Sequence, residues 1–295
     1  MAKFGQKQYL STLVRYSALA RAEVFQFGFL FLSSALVFQL GSGSGQTIFK
    51  FPNFAKPYPL AVILNDFTLM MKKNDYKLDN PVWYSLSEAH HIFSVDYDGI
   101  KFYHPDYCPF GGFDSTENVS KKISEYSKLL DNFFVVGDKP KLSNLLKFKK
   151  ELVCLQMIIH NKIDTVIKDH ITILSHEHTE ALFDLVNLVQ PGYFKRKTAL
   201  LGSYFGIFKN GQLVSVTGER MKMNDFVEVS AIVTHPDHTG QGYAKQLIAH
   251  TVNNISNQSK TPYLHVLETN VGAINLYENL GFETRRKISF WNVMK

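Results

Sequence analysis

Apolar and polar positions change period repeatedly along the second half of the chain, and each change marks an element. Residues 171–174 (ITIL) read as a strand. Ser175 follows as an N-cap residue before apolar positions at helical spacing up to about residue 188, and Gln190-Pro191-Gly192 ends that helix. Residues 204–209 and 212–221 alternate like strands around Asn210-Gly211, a pair suited to a hairpin turn with two positive φ angles. Residues 226–233 are a further strand, rich in β-branched residues. Residues 240–254 read as a helix that buries Ala244, Leu247, Ile248 and Val252. Strand 263–268, helix 271–279 ended by Gly281, and a last strand at 289–293 that closes the sheet complete the pattern. The fold class expected is α/β in the α+β sense, a mixed and mostly antiparallel sheet with helices on both faces.

Residues 76–165 form a second unit. It holds a hairpin across Asp98-Gly99, a helix at 120–130, a short buried strand at 133–136, a helix at 141–149 and a strand at 152–159. It has no glycine-rich phosphate turn, so it reads as a degenerate half that supports the other. Residues 1–75 are an extension. Its first 22 residues are basic with a helical stripe, and an uncharged run follows at 24–49. That run exceeds the roughly 20 apolar residues that span a bilayer. Against an anchor stand the alternation of Phe25, Phe27, Phe29 and Phe31, the polar residues that dilute the run, and the orientation that Lys3, Lys7, Arg15 and Arg21 would impose. A buried or loosely attached extension is favoured over membrane contact through 24–45, with a Gly/Ser linker at 41–45.

Composition narrows the function classes. The 295 residues suffice for a sizeable core, and 32 basic against 26 acidic residues leave a net charge of +6. That mild excess suits an anionic small-molecule ligand, and no basic stripe interleaved with aromatics points to nucleic acid. The two cysteines, Cys108 and Cys154, sit in no C-x-x-C pair, and His90-His91 and His176-x-His178 lack a third ligand at metal spacing. Reduced thiols, a cytoplasmic setting and no metal are expected.

The chemistry concentrates in FVEVSAIVTHPDHTGQGYAKQL, residues 226–247. A strand stops at His235-Pro236-Asp237, and Gly240, Gly242 and Ala244 then alternate where a helix begins. Small residues there let backbone amides approach a ligand, and the positive end of the helix favours a diphosphate. The spacing is neither G-x-x-x-x-G-K-[ST] nor G-x-G-x-x-G, which argues against a nucleotide hydrolase or a dinucleotide fold. Taken alone, the turn is equally readable as a ligand-free strand-to-helix turn.

HPDHTGQGYAKQLI resembles the pyrophosphate-binding motif of the GNAT acyl-CoA N-acyltransferases, written Q/R-x-x-G-x-G/A. His238 stands where that motif has Arg or Gln, followed by Thr239, Gly240, Gln241, Gly242, Tyr243 and Ala244. PYLHVLETNVGAINLYENLGF, residues 262–282, is similar to the next strand and helix of the superfamily, with its Asn, A-x-x-L-Y and closing G-F. LDNPVW (78–83) through PFGGF looks like the amino-terminal half of a two-part subgroup related to glycine N-acyltransferase-like proteins. Together these imply a GNAT domain over 166–295.

The resemblance implies transfer of an acetyl or other acyl group from acetyl-CoA to a small amine or amino acid, within a ternary complex. It implies that residues 238–244 hold pyrophosphate, that Ile232, Val233 and Thr234 hold the pantetheine arm where strand 226–233 splays from strand 263–268, and that an N–H near Val233 receives the oxyanion. Tyr277 matches the tyrosine that protonates the departing thiolate, and Asn270 caps its helix or touches the coenzyme. For the general base, Glu228 is the first candidate. Glu219, His265 and bulk water stand beside it, and each side chain is equally readable as an ordinary sheet residue. A non-catalytic acyl-CoA-binding module is the rival reading of the whole.

Overall fold

The computed structural model describes residues 28–32, 35–39, 75–115 and 117–295. The expectations for residues 1–22 and for the linker at 41–45 lie outside the described residues. The chain divides into two compact units, residues 1–69 and 70–295. In the first, β1 (Gly28–Leu32) and β2 (Ala35–Gln39) pair antiparallel. Among the described residues no helix is long and apolar enough to cross a membrane.

The second unit is built on an eleven-stranded sheet. Its elements in chain order are α1 (Pro81–Ser87), β3 (Ser94–Asp96), β4 (Ile100–Tyr103), β5 (Phe110–Phe113), α2 (Val119–Tyr126), β6 (Asn132–Val136), β7 (Lys147–Ile158), β8 (Thr172–Ile173), α3 (Thr179–Val189), β9 (Tyr204–Lys209), β10 (Gln212–Lys222), β11 (Phe226–Thr234), α4 (Tyr243–Asn257), β12 (Thr261–Leu267), α5 (Val271–Asn279) and β13 (Glu283–Met294). Across the sheet the order is β3-β4-β5-β6-β13-β7-β12-β11-β10-β9-β8. Only β5–β6 and β11–β12 run parallel, each pair bridged by a helix, α2 or α4. A parallel pair needs such a crossover.

The order is close to a palindrome. β4, β5 and β6 repeat the pairing of β10, β11 and β12, and the two final strands are exchanged between the halves. β7, which ends the first half, pairs with β12, while β13, which ends the second, pairs with β6; β7 and β13 also pair along most of their length. The last strand therefore does not close the sheet as expected from residues 289–293. It lies in the middle, with partners on both edges.

The hairpin turns form where expected. Asp98 and Gly99 have φ of 51° and 86°, and Asn210 and Gly211 have 50° and 80°. The helix expected at 141–149 is absent: residues 141–146 are irregular and β7 starts at Lys147. Met294 and Val293 of β13 pair with Lys147 and Phe148, so long-range pairing outcompetes the local helical spacing, as tertiary context commonly does. The helix after Ser175 opens as a 3-10 turn, His176–His178, before α3. On α4, Leu247, Ile248, Thr251, Val252 and Ile255 are buried to within 1%. That is one face at 3.6-residue spacing, pressed against the strands that carry the site.

Candidate active site

β11 and β12 pair only at Phe226–Thr261, Val227–Pro262 and Glu228–Tyr263. Beyond Glu228 the two strands part, and burial falls with them: residues 226–229 are buried and 230–232 half-buried. The edge of β11 from Val229 to Thr234 therefore carries main-chain groups with no strand partner on the β12 side. This is the splay expected between the two segments. A bulge widens it. Val216 pairs with Val233 and Gly218 with Ser230, three steps on β11 against two on β10, and Ala231 takes φ of 50°. Bulges of this kind turn side chains and peptide groups toward a site.

The strand leads into a 3-10 turn, Pro236–His238, and then the glycine turn. Gly240 and Gly242 have φ of 77° and 75°, which β-carbon sterics make costly for other residues, and nothing lies within 4 Å of where either Cβ would stand. Gly242 is the N-cap of α4. The helical ladder begins with the Gln246 amide on the Gly242 carbonyl, so among the described residues the amides of 240–245 donate to no acceptor. They crowd the positive end of a fifteen-residue helix, an arrangement whose free donors and dipole favour an anion. The helix begins at Tyr243, later than residue 240, because the two glycines occupy left-handed backbone. His238 is half-buried beside His235, with ring centroids 5.8 Å apart, while Thr239 bonds the Pro236 carbonyl through its hydroxyl.

Asn270 caps α5, its side chain accepting from the Ala273 amide at 3.2 Å. Tyr277 lies on the inner face of α5, 7% exposed and edge-tilted against Phe282. Burial pushes its phenol up to about 12, so the hydroxyl stays protonated at neutral pH. Among the described residues that hydroxyl has no hydrogen-bond partner.

Glu228 sits at the apex of the splay and is 1% exposed. Arg220 grips both oxygens, Nε to Oε2 at 2.7 Å and Nη2 to Oε1 at 2.9 Å, and His265 Nδ1 donates to Oε1 at 2.8 Å. Burial alone would raise this carboxyl; the Arg220 charge and the donated hydrogen bonds outweigh it and hold it down at about 2. A carboxylate so engaged is a poor proton acceptor near pH 7. His265 is engaged too. Its Nε2 meets the Gln156 amide nitrogen at 3.1 Å, and that amide also donates to the Leu78 carbonyl at 2.7 Å. A nitrogen that meets an N–H donor must carry a lone pair, which places the ring proton on Nδ1. Gln156 Oε1 in turn accepts from Arg285 Nη1, which also donates to Asp79. Five adjacent strands, β10, β11, β12, β7 and β13, thus share one continuous polar row. Glu219 is outside it: its carboxylate binds Lys222 Nζ at 2.8 Å and the Ser203 amide at 3.3 Å.

Cys108 and Cys154 are free, buried thiols that burial pushes up to about 12, which keeps them protonated and unreactive. Arg220 escaped the sequence reading. Its signal was the one cation of VSVTGERM, next to Glu219 at the end of an otherwise uncharged alternation. A second bulge then brings it onto Glu228: Glu219 pairs with Val229 but Lys222 with Val227, an extra residue on β10.

This arrangement, a splayed parallel pair leading to a glycine turn and helix within a mostly antiparallel sheet, is the GNAT acetyltransferase fold. A protein from Novosphingobium aromaticivorans assigned to the GNAT acetyltransferases superposes with a TM-score of 0.67 at 27% identity, over 74% of this chain and 98% of that one. A GCN5-related N-acetyltransferase-like protein from Streptococcus suis superposes with a TM-score of 0.50 at 15% identity, over 74% and 97%. More narrowly, residues 204–291, from β9 into β13, match the family model of FR47-like proteins. No curated protein matches the chain.

Proposed function

We propose that this chain is an acyl-CoA-dependent N-acyltransferase that moves an acetyl group from acetyl-CoA to the amine of a small molecule or amino acid. The carrying observation is the wedge between β11 and β12, whose unpaired edge leads into the exposed amides of residues 240–245. In this reading residues 238–244 hold the pyrophosphate, and the edge of β11 at Ile232, Val233 and Thr234 holds the pantetheine arm as a strand would. A neutral amine attacks the thioester carbonyl carbon, and an N–H near Val233 stabilises the oxyanion. The C–S bond breaks, the sulfur takes the Tyr277 proton, and the amine proton leaves to water or a base. Glu228, held ionised, serves better to orient His265 and Arg220 than to accept that proton. The half formed by residues 76–165 supports the acceptor side, consistent with the resemblance of its motifs to glycine N-acyltransferase-like proteins. A cytoplasmic setting, without nucleic acid or membrane partner, follows from the same reading.

The engagement of both Glu228 oxygens also favours a second reading, an acyl-CoA-binding module without turnover. Calorimetric titration with acetyl-CoA, followed by thiol release over a panel of amines, separates the two. Release with at least one amine supports the transferase; tight binding with no release across the panel supports the module.

A further inference from the structure

The face of the sheet that carries Glu228 holds two polar groups whose hydrogen-bonding capacity is unspent. Arg220 gives its Nε–Nη2 edge to Glu228 and lays its guanidinium over the Phe110 ring, 4.8 Å from the centroid. Among the described residues its Nη1 has no partner, and the side chain remains 15% exposed. Tyr204 is 2% exposed, and its buried hydroxyl also lacks a partner among the described residues.

The register explains where that hydroxyl lies. Tyr204 on β9 pairs with Gly218 on β10, and Gly218 pairs with Ser230 on β11. A Cβ on Gly218 would stand 2.2 Å from the Tyr204 ring. The ring therefore lies across β10, over the one residue that leaves room for it, and carries its hydroxyl toward the part of β11 that has left β12. Arg220, two residues from Gly218, faces the same side. The buried hydroxyl without a partner costs free energy in the empty protein; an anionic oxygen pair relieves that cost and takes the two free N–H groups of Arg220 Nη1.

We propose that Arg220 Nη1 and Tyr204 Oη form a subsite for the carboxylate of the acceptor, so that the amines accepted are amino carboxylates. The inference rests on the acyl-transfer reading above and narrows its acceptor class. A carboxylate fits better than a phosphate, since Glu228 already neutralises much of the Arg220 charge and Nη1 offers only two N–H groups. Held there, the acceptor presents its amine to the free edge of β11.

The test compares α-amino acids with their own amides, first as acyl acceptors and then as ligands titrated into protein saturated with CoA. The expected wild-type result is a preference for the acid over the amide of tenfold or more, a size typical for a site built to pair a charged group. Tyr204→Phe is expected to reduce that preference about tenfold while leaving acetyl-CoA affinity unchanged and the melting temperature equal or higher, since the lost hydroxyl is buried and bonds nothing in the free protein. Arg220→Lys, which keeps a charge beside Glu228 but loses the fork, is expected to reduce it further. Turnover or binding of acids and amides alike overturns the subsite while leaving acyl transfer standing. Acid-selective binding with no turnover of any amine supports the subsite and overturns the transferase.

Discussion

At Tyr277 burial keeps the phenol protonated at neutral pH, so the proton that the proposed transfer to sulfur needs is present, on a weaker acid than a free phenol. Tyr277→Phe is expected to lower kcat at least tenfold, the low end of general acid catalysis, while leaving the Kd for acetyl-CoA within twofold; single-turnover rates and calorimetry check both. With the phenol at about 12, ionisation of Tyr277 removes no activity below pH 11, so any loss on the alkaline side at pH 8–10 must come from another group. At the glycine turn, Gly242→Glu places bulk and negative charge among the amides of the α4 N-terminus. Acetyl-CoA binding should be lost by calorimetry. Gly242→Ala separates the two effects: it meets only the left-handed backbone penalty, about 1–2 kcal/mol, read as a shift in the urea midpoint.

Elements hold these residues through contacts that no single residue announces. The segment joining the two halves is strapped along α4 by two amide side chains seven residues apart on one helix face. Gln246 Oε1 accepts from the Lys168 and Asp169 amides at 2.7 and 2.9 Å, and its Nε2 donates to the Asp169 carboxylate at 2.7 Å. Asn253 bonds both the amide and the carbonyl of Ile163. Gln246→Ala hands the part-exposed Lys168 and Asp169 amides to water, a net cost of about 1–2 kcal/mol. Hydrogen exchange should quicken at Lys168 and Asp169 before it does in β12. The bulges act at the same scale. One residue too many on β10 aims Arg220 at Glu228, and one too many on β11 opens the wedge; neither can be read from alternation, because a bulge is defined only against its partner strand.

Across the whole molecule, the exchange of β7 and β13 makes the two halves of the second unit mutually dependent. Each half lacks its own last strand, so residues 75–295 are expected to unfold in a single calorimetric transition. Acid should act on the contacts that join the halves. His90 lies buried between Tyr103 and the Leu201 carbonyl, with Nδ1 2.8 Å from the Tyr103 hydroxyl and Nε2 2.9 Å from that carbonyl. Burial lowers it to about 4 from 6.5. A depressed folded pKa means stability present above 6.5 and lost as pH falls through 4, about 3 kcal/mol in all. Glu228, at about 2 against 4.5, adds a further loss between 4.5 and 2. Melting temperature against pH should therefore decline in two stages; His90→Gln removes the first and leaves the second.

Most element types, the hairpin turns, the glycine turn before α4 and the GNAT likeness were legible in the sequence because each depends on neighbours within a few residues: the period of apolar positions, Asn210-Gly211, or Gly240 and Gly242 ahead of an amphipathic run. Glu228, Tyr277 and Asn270 were legible as candidates for the same reason. What those candidates can do was decided by the tertiary structure. Glu228 reads as a free base until Arg220, from the adjacent strand, takes both its oxygens. The central place of β13, the strand at 147 in place of a helix, and the Tyr204 ring lying over Gly218 all rest on pairings between residues far apart in the chain, whose energy is set by strand register and burial.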